Sequence, residues 1–287
     1  MSGVAVLAID FLKPFEFEFF RNGIIVATLA GALCGVVGSY VVLRNMSYIG
    51  HGLSHAIFGG YAVAGLLGIN LFLGAGAWGL LAALTIGAIV RSRPIGSDAA
   101  IGVVTTAAFA FGLVIVQIYG SNGPNADALL FGNVLGVTLA DVWLIIGVSI
   151  CALAFIFLGY RQLLFTTFDA EVAKATGVNT GLIDGLLMVL LSATVISTMN
   201  VLGVTLMAAS LVVPAVVARM LTDSFPRMLI LAGVIGAVSG FVGMNASYHL
   251  DVASGPTIVL TSAVFFIVAF AAGVPLRRRI GVAHGAH

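Results

Sequence analysis

Charge is scarce in this chain. Only 8% of its 287 residues are Asp, Glu, Lys or Arg, against about 25% in an ordinary soluble domain. That excludes a conventional water-soluble fold. The formal net charge of +1 leaves no basic face for nucleic acid. Cysteine is nearly absent as well. Cys34 and Cys151 are the two present, each within an apolar run and without metal-ligand spacing. A disulfide framework is not expected, and both read as small buried hydrophobes. No G-x-x-x-x-G-K-[ST] run occurs, so there is no P-loop for nucleotide. No nucleophile and base are arranged for chemistry on a soluble surface, which argues against an enzyme acting by itself. The N-terminus also lacks the order of a signal peptide, since its charges follow the first short apolar run.

What the chain has is greasy length: 61% hydrophobic residues and a mean hydropathy of +1.18. Apolar spans fall near 22–43, 46–68, 71–90, 100–119, 140–159, 182–199, 203–219, 228–248 and 256–275. Each is close to the ~20 residues that cross hydrocarbon as a helix. The expected class is an all-α polytopic membrane protein with about nine transmembrane helices, eight if one weak span is miscounted. One domain, 1–287, is expected. Residues 1–21, containing FLKPFEFEFF, suit an interfacial segment, and 276–287 suit a tail. The stretch 127–139 is too short to cross alone; it reads as a half-helix or an extension of the fifth crossing.

Arg44, Arg91, Arg93, Arg161, Lys174, Arg219, Arg227 and Arg277 to Arg279 fall in alternate loops. Those loops are therefore assigned to the cytoplasm. The C-terminus is then inside and, with nine crossings, the N-terminus outside. Two four-helix halves would enter from opposite faces, as in an inverted-repeat transporter. The 36 glycines, including Gly31, Gly35 and Gly38, suit close helix packing.

RNMSYIGHGLSHAIFGG, at 44–60, carries His51 and His55 four positions apart. On a helix both imidazoles share a face, about 6 Å apart along the axis. Such a pair at membrane depth favours a metal, because neutral imidazole is a common ligand. Two donors are too few for a closed zinc site, and a second copy across a twofold axis would raise them to four. Ser54 is placed to orient an imidazole. Two satisfied core histidines are the plainer alternative. Proton relay is a third reading, weakened by the lack of an acid in this span.

SYHLDVASGP, at 247–256, offers His249 and Asp251 as an outer gate, or simply as a capped turn. Asn122, Asn125 and Asp127 are explained by turn chemistry, and His284 and His287 by a loose end. Between Arg161 and Asp184, FDAEVAKATG reads as a short helix capped by Asp169, supported by Glu171 and stopped by Gly177. It could dock a soluble partner or merely join two helices.

Four stretches, VVLRNMSYIGHGLSHAIFGG (41–60), LLFGNVLG (129–136), FDAEVAKATGV (168–178) and VLGVTLMAASLVVPAVVARML (201–221), carry a family likeness. SYHLDVASGPTIVL (247–260) fits it too. The chain resembles the permease subunits of bacterial ABC importers for zinc, manganese and iron. The resemblance implies the vitamin-B12-importer-like, type II permease fold, acting as a homodimer in the bacterial plasma membrane. It implies a separate ABC ATPase, an extracytoplasmic metal-binding protein, and a transported divalent metal without a resident cofactor. It also implies that 160–184 holds the coupling region, with Phe168, Asp169, Glu171, Ala173 and Gly177 meeting the ATPase.

The family's metal pattern, Gly-Asp-x-x-Ser-His, reads here Gly50-His51-Gly52-Leu53-Ser54-His55. His51 stands where Asp is expected. That makes the site softer and suits zinc ahead of manganese or iron. An ATP-independent cation carrier or channel is the rival from another class, and a permease for a chelated metal the nearer one.

Overall fold

The computed structural model describes residues 13–92, 96–119, 132 and 136–283, and among them every regular element is a helix. After a short 3₁₀ turn, Lys13–Glu16, come α1 (Glu18–Leu43), α2 (Ile49–Leu67), α3 (Leu71–Ser92) and α4 (Ser97–Tyr119). Then follow α5 (Leu139–Leu158), α6 (Tyr160–Phe168), α7 (Ala170–Ala175) and α8 (Thr180–Leu202). A 3₁₀ turn, Val204–Leu206, leads into α9 (Met207–Leu221), α10 (Phe225–Leu250) and α11 (Ser254–Ala283).

Among the described residues, eight helices are long and apolar enough to cross a membrane: α1, α3, α4, α5, α8, α9 with its 3₁₀ turn, α10 and α11. α2 is not among the eight, although it falls on the expected span 46–68. Its 19 residues reach about 28 Å, but two histidines lower its hydropathy. It lies against α3, α4, α8 and α9 rather than alone.

The packing repeats itself across the two halves. α2 packs on α3 and α4, and α9 packs on α10 and α11. α1 crosses to lie on α9 and α10, while α8 crosses to lie on α2 and α3. Each half thus lends its first helix to the other, which agrees with the inverted halves suggested by the loops. Glycines permit the closest of these contacts. A Cβ at Gly31 would fall on the Gly236 carbonyl, one at Gly35 on that of Ala232, and one at Gly38 on that of Leu211.

Several boundaries differ from expectation. α1 starts at Glu18 and takes in residues 18–21, because Phe20 is already fully buried. Phe20 meets Phe15 and Tyr248 edge-on, at 5.2 Å between ring centroids in both pairs. α11 continues to Ala283, so the tail expected from 276 begins as helix. α5 starts at Leu139 behind a reciprocal Thr138–Asp141 capping box. Of 127–138, only Gly132 and residues 136–138 are among the described residues; Asn122, Asn125, Asp127, His284 and His287 lie outside them. Cys34 is buried as expected, but Cys151 is exposed, since α5 turns an outer face of Ile150, Leu153 and Phe157 away from the bundle.

Candidate metal site

α2 owes its position to small residues on the faces that touch its neighbours. A Cβ at Gly52 would press on Thr105 and Ile101 of α4, one at Gly59 on the Ala108 carbonyl, and one at Gly60 on Trp78 of α3. The turn leading into α2 is tight. Asn45 adopts the left-handed conformation (φ 55°), and the Met46 N–H donates to the Val41 carbonyl at 3.0 Å. With these faces held inward, His51 is left exposed and His55 half-buried.

The two imidazoles are neighbours, with ring centroids 4.2 Å apart. His55 Nδ1 lies 2.9 Å from the His51 carbonyl oxygen. A carbonyl only accepts, so Nδ1 carries the hydrogen; in the neutral ring Nε2 then keeps its lone pair, the tautomer that can ligate a metal. The Ser54 hydroxyl donates to the same carbonyl at 2.8 Å. It was expected on an imidazole; instead the turn of helix brings it to the backbone oxygen three residues back. Phe109 of α4 meets His55 edge-on at 4.9 Å, and Phe58 meets Phe109 at 5.3 Å. Phe109, backed by Phe58, covers one side of His55. No group of three or more His, Cys, Asp or Glu residues is placed to hold a metal among the described residues. One chain offers two donors.

The structure brings His51, His55 and Ser54 together, and places His249 and Asp251 elsewhere, at the end of α10. Asp251 ends that helix in the left-handed conformation (φ 52°), and the Ser247 hydroxyl closes the turn on the Val252 carbonyl at 2.6 Å. His249 lies edge-on to Tyr248 at 5.4 Å.

The short helix in the long polar loop is α7. Asp169 caps it, accepting from the Glu171 and Val172 N–H groups at 3.0 and 2.9 Å. Gly177 ends it at φ 83°, with the Val178 N–H reaching the Ala173 carbonyl at 3.0 Å. Ala173 is buried, Glu171 is exposed and Phe168 is 62% exposed. Phe168 still meets Phe225 at 6.0 Å, and Phe225 also receives Tyr40 at 5.2 Å and Tyr160 at 6.1 Å. This cluster seats the loop on α1 and α10.

Sequence reasoning missed three features. Phe109 lies 54 positions from His55, on a helix whose sequence gives no sign of the contact. Arg44 bonds to Asp184, Thr166 and Thr167. The Asp141 carboxylate, besides capping α5, accepts from the Asn200 side chain at 2.8 Å.

The chain is a multi-pass helical bundle with crossed halves, and its fold is the type II permease fold that the resemblance implies. Residues 16–273 match the ABC 3 transport family, and the chain belongs to that family. It is 37% identical over 264 residues to the manganese transport system membrane protein MntC of Halalkalibacterium halodurans, covering 92% of this chain and 90% of that one. It is 35% identical over 262 residues to a probable iron transport system membrane protein of Haemophilus influenzae, covering 91% and 96%. The structure of PsaBC from Streptococcus pneumoniae in complex with Fab superimposes with a TM-score of 0.81 at 36% identity, covering 91% and 94%.

Proposed function

We propose that this chain is the permease of an ATP-driven importer of a divalent first-row transition metal, with His51 and His55 as half of the cargo site. One observation carries the reading: an exposed imidazole at His51, beside a His55 ring whose Nδ1 is pinned and whose Nε2 is free to ligate. A polar ring on the outside of a spanning helix is costly against hydrocarbon. A second copy of the chain, facing His51 across a twofold axis, removes that cost and supplies the two missing donors. The homodimer therefore belongs to the proposal.

With the basic loops in the cytoplasm, α7 faces the cytosol and its exposed Phe168 and Glu171 meet the ATPase, with Ala173 beneath them and Asp169 and Gly177 setting the ends. With Arg219 and Arg227 on the cytoplasmic side of α10, His249 and Asp251 fall at the outer face, where a binding protein delivers the ion. ATP turnover moves α7, and the path to the histidines switches from the outer to the inner side. Hydrolysis is the partner's work; this chain holds and releases the ion.

The donor set favours zinc, since four imidazoles are softer than a mixed imidazole–carboxylate site. Manganese is the second reading, favoured by the relative named for manganese transport. Reconstitution with an ATPase and a binding protein tests both. ATP-dependent uptake, with zinc competing better than manganese, supports the proposal. Equal uptake without ATP would replace it with a carrier.

A further inference from the structure

We propose that Arg44 is the positioning residue through which movement of α7 reaches the histidine helix. Its guanidinium donates in three directions: to Asp184 at 2.6 Å from Nη1, to Thr166 at 2.9 Å from Nη2 and to Thr167 at 3.1 Å from Nε. Thr166 and Thr167 lie in the last turn of α6, three and two residues before the cap of α7; Asp184 lies in the first turns of α8. One side chain therefore grips both limbs that flank α7.

The grip is sheltered, with the Arg44 side chain 10% and that of Asp184 28% exposed. The other ion pair among the described residues, Arg219–Asp223, is an exposed contact within one chain turn. Arg44–Asp184 is the one that joins distant segments among the described residues.

On its far side Arg44 is tied to the metal site by stiff backbone. Its own N–H donates to the Tyr40 carbonyl at 3.0 Å, and the Met46 N–H to Val41 at 3.0 Å. Ile49 is fully buried, and His51 follows two residues later. A displacement of the α6–α8 limbs is passed on to the start of α2 instead of being lost in a slack loop.

The inference deepens the importer reading and rests on it. The test measures ions transported per ATP hydrolysed, with zinc and manganese as probes, in the assembled complex in proteoliposomes. Arg44→Lys keeps the positive charge but not the three-way fork. Its ratio is expected to fall about fivefold or more, with the ATPase still bound and hydrolysis retained. Asp184→Asn should act in the same direction, and the double variant should be no worse than the worse single, because the pair acts as a unit.

A merely structural role predicts that uptake, hydrolysis and bound ATPase decline together at constant ratio, and that result overturns the inference. So does a wild-type ratio in Arg44→Lys. Should Arg44→Lys not assemble, Thr167→Val removes one arm of the fork: a lowered ratio supports the inference and an unchanged ratio overturns it. Wild type without ATP-dependent uptake removes the importer reading and this inference with it; coupled transport in both wild type and Arg44→Lys removes only the latter.

Discussion

Gly52 lies between His51 and Leu53 on the side of α2 that meets α4. An alanine Cβ there would sit 2.7 Å from Thr105 Cγ2, 2.8 Å from Ile101 Cγ2 and 2.9 Å from Thr105 Oγ1. Ordinary carbon contacts need about 3.5–4.0 Å, so roughly 1 Å must be found. The neighbours cannot yield it. Thr105 and Ile101 are 4% and 2% exposed, both are β-branched and stiff at χ1, and the Thr105 hydroxyl is held on the Ile101 carbonyl at 2.7 Å. Helix α2 must therefore move away from α4. Overpacking of this kind costs about 1–3 kcal/mol.

The same movement separates His55 from Phe109. Metal sites tolerate errors of about 0.2 Å, and a misplacement of about 1 Å can cost up to about 100-fold in rate. Gly52→Ala should thus lower both the melting temperature of the purified permease and ATP-driven metal uptake, the latter by about 10- to 100-fold. Gly102→Ala and Gly147→Ala, where an added Cβ meets nothing within 4 Å, are the controls. They should keep uptake and leave stability equal or up to about 1 kcal/mol higher. Wild-type melting and uptake in Gly52→Ala would refute the claim that this contact places the histidines.

Three further outcomes are expected. His51→Asp adds two carboxylates per dimer and should shift competition toward manganese; unchanged metal preference would defeat the donor argument. Uptake should weaken as pH falls, since only neutral imidazole ligates; a flat profile measured with the partner binding protein held saturated would contradict it. Asp169→Ala removes the cap of α7 and should cost that helix about 1 kcal/mol, seen as weaker retention of the ATPase on co-purification, with metal binding unchanged.

The crossings were legible because lipid demands long apolar runs, and a ~20-residue run is a strong signal. The cap at Asp169 and the stop at Gly177 were legible because capping is local chemistry, read within four residues. The histidine pair was legible for the same reason. What escaped is long-range. Arg44 could be assigned to a membrane face from charge alone, but its partners at 166, 167 and 184 are set by how α1, α6 and α8 meet. Phe109 is one phenylalanine among 19, and only packing places it against His55. Cys151 was misread because an apolar span buries its outward face in lipid or in another chain as readily as in its own core. Ser54 was misread because a serine on a helix reaches the carbonyl a turn back more readily than a neighbouring ring.

In the proposed importer, two chains share one cargo site built from four imidazoles. The direct measurement is the number of zinc ions bound per purified permease dimer, by metal analysis after equilibrium dialysis, in wild type and His55→Ala. One ion per two chains is expected, lost in His55→Ala while the dimer and its melting temperature persist. One ion per chain, or binding that survives His55→Ala, would contradict it.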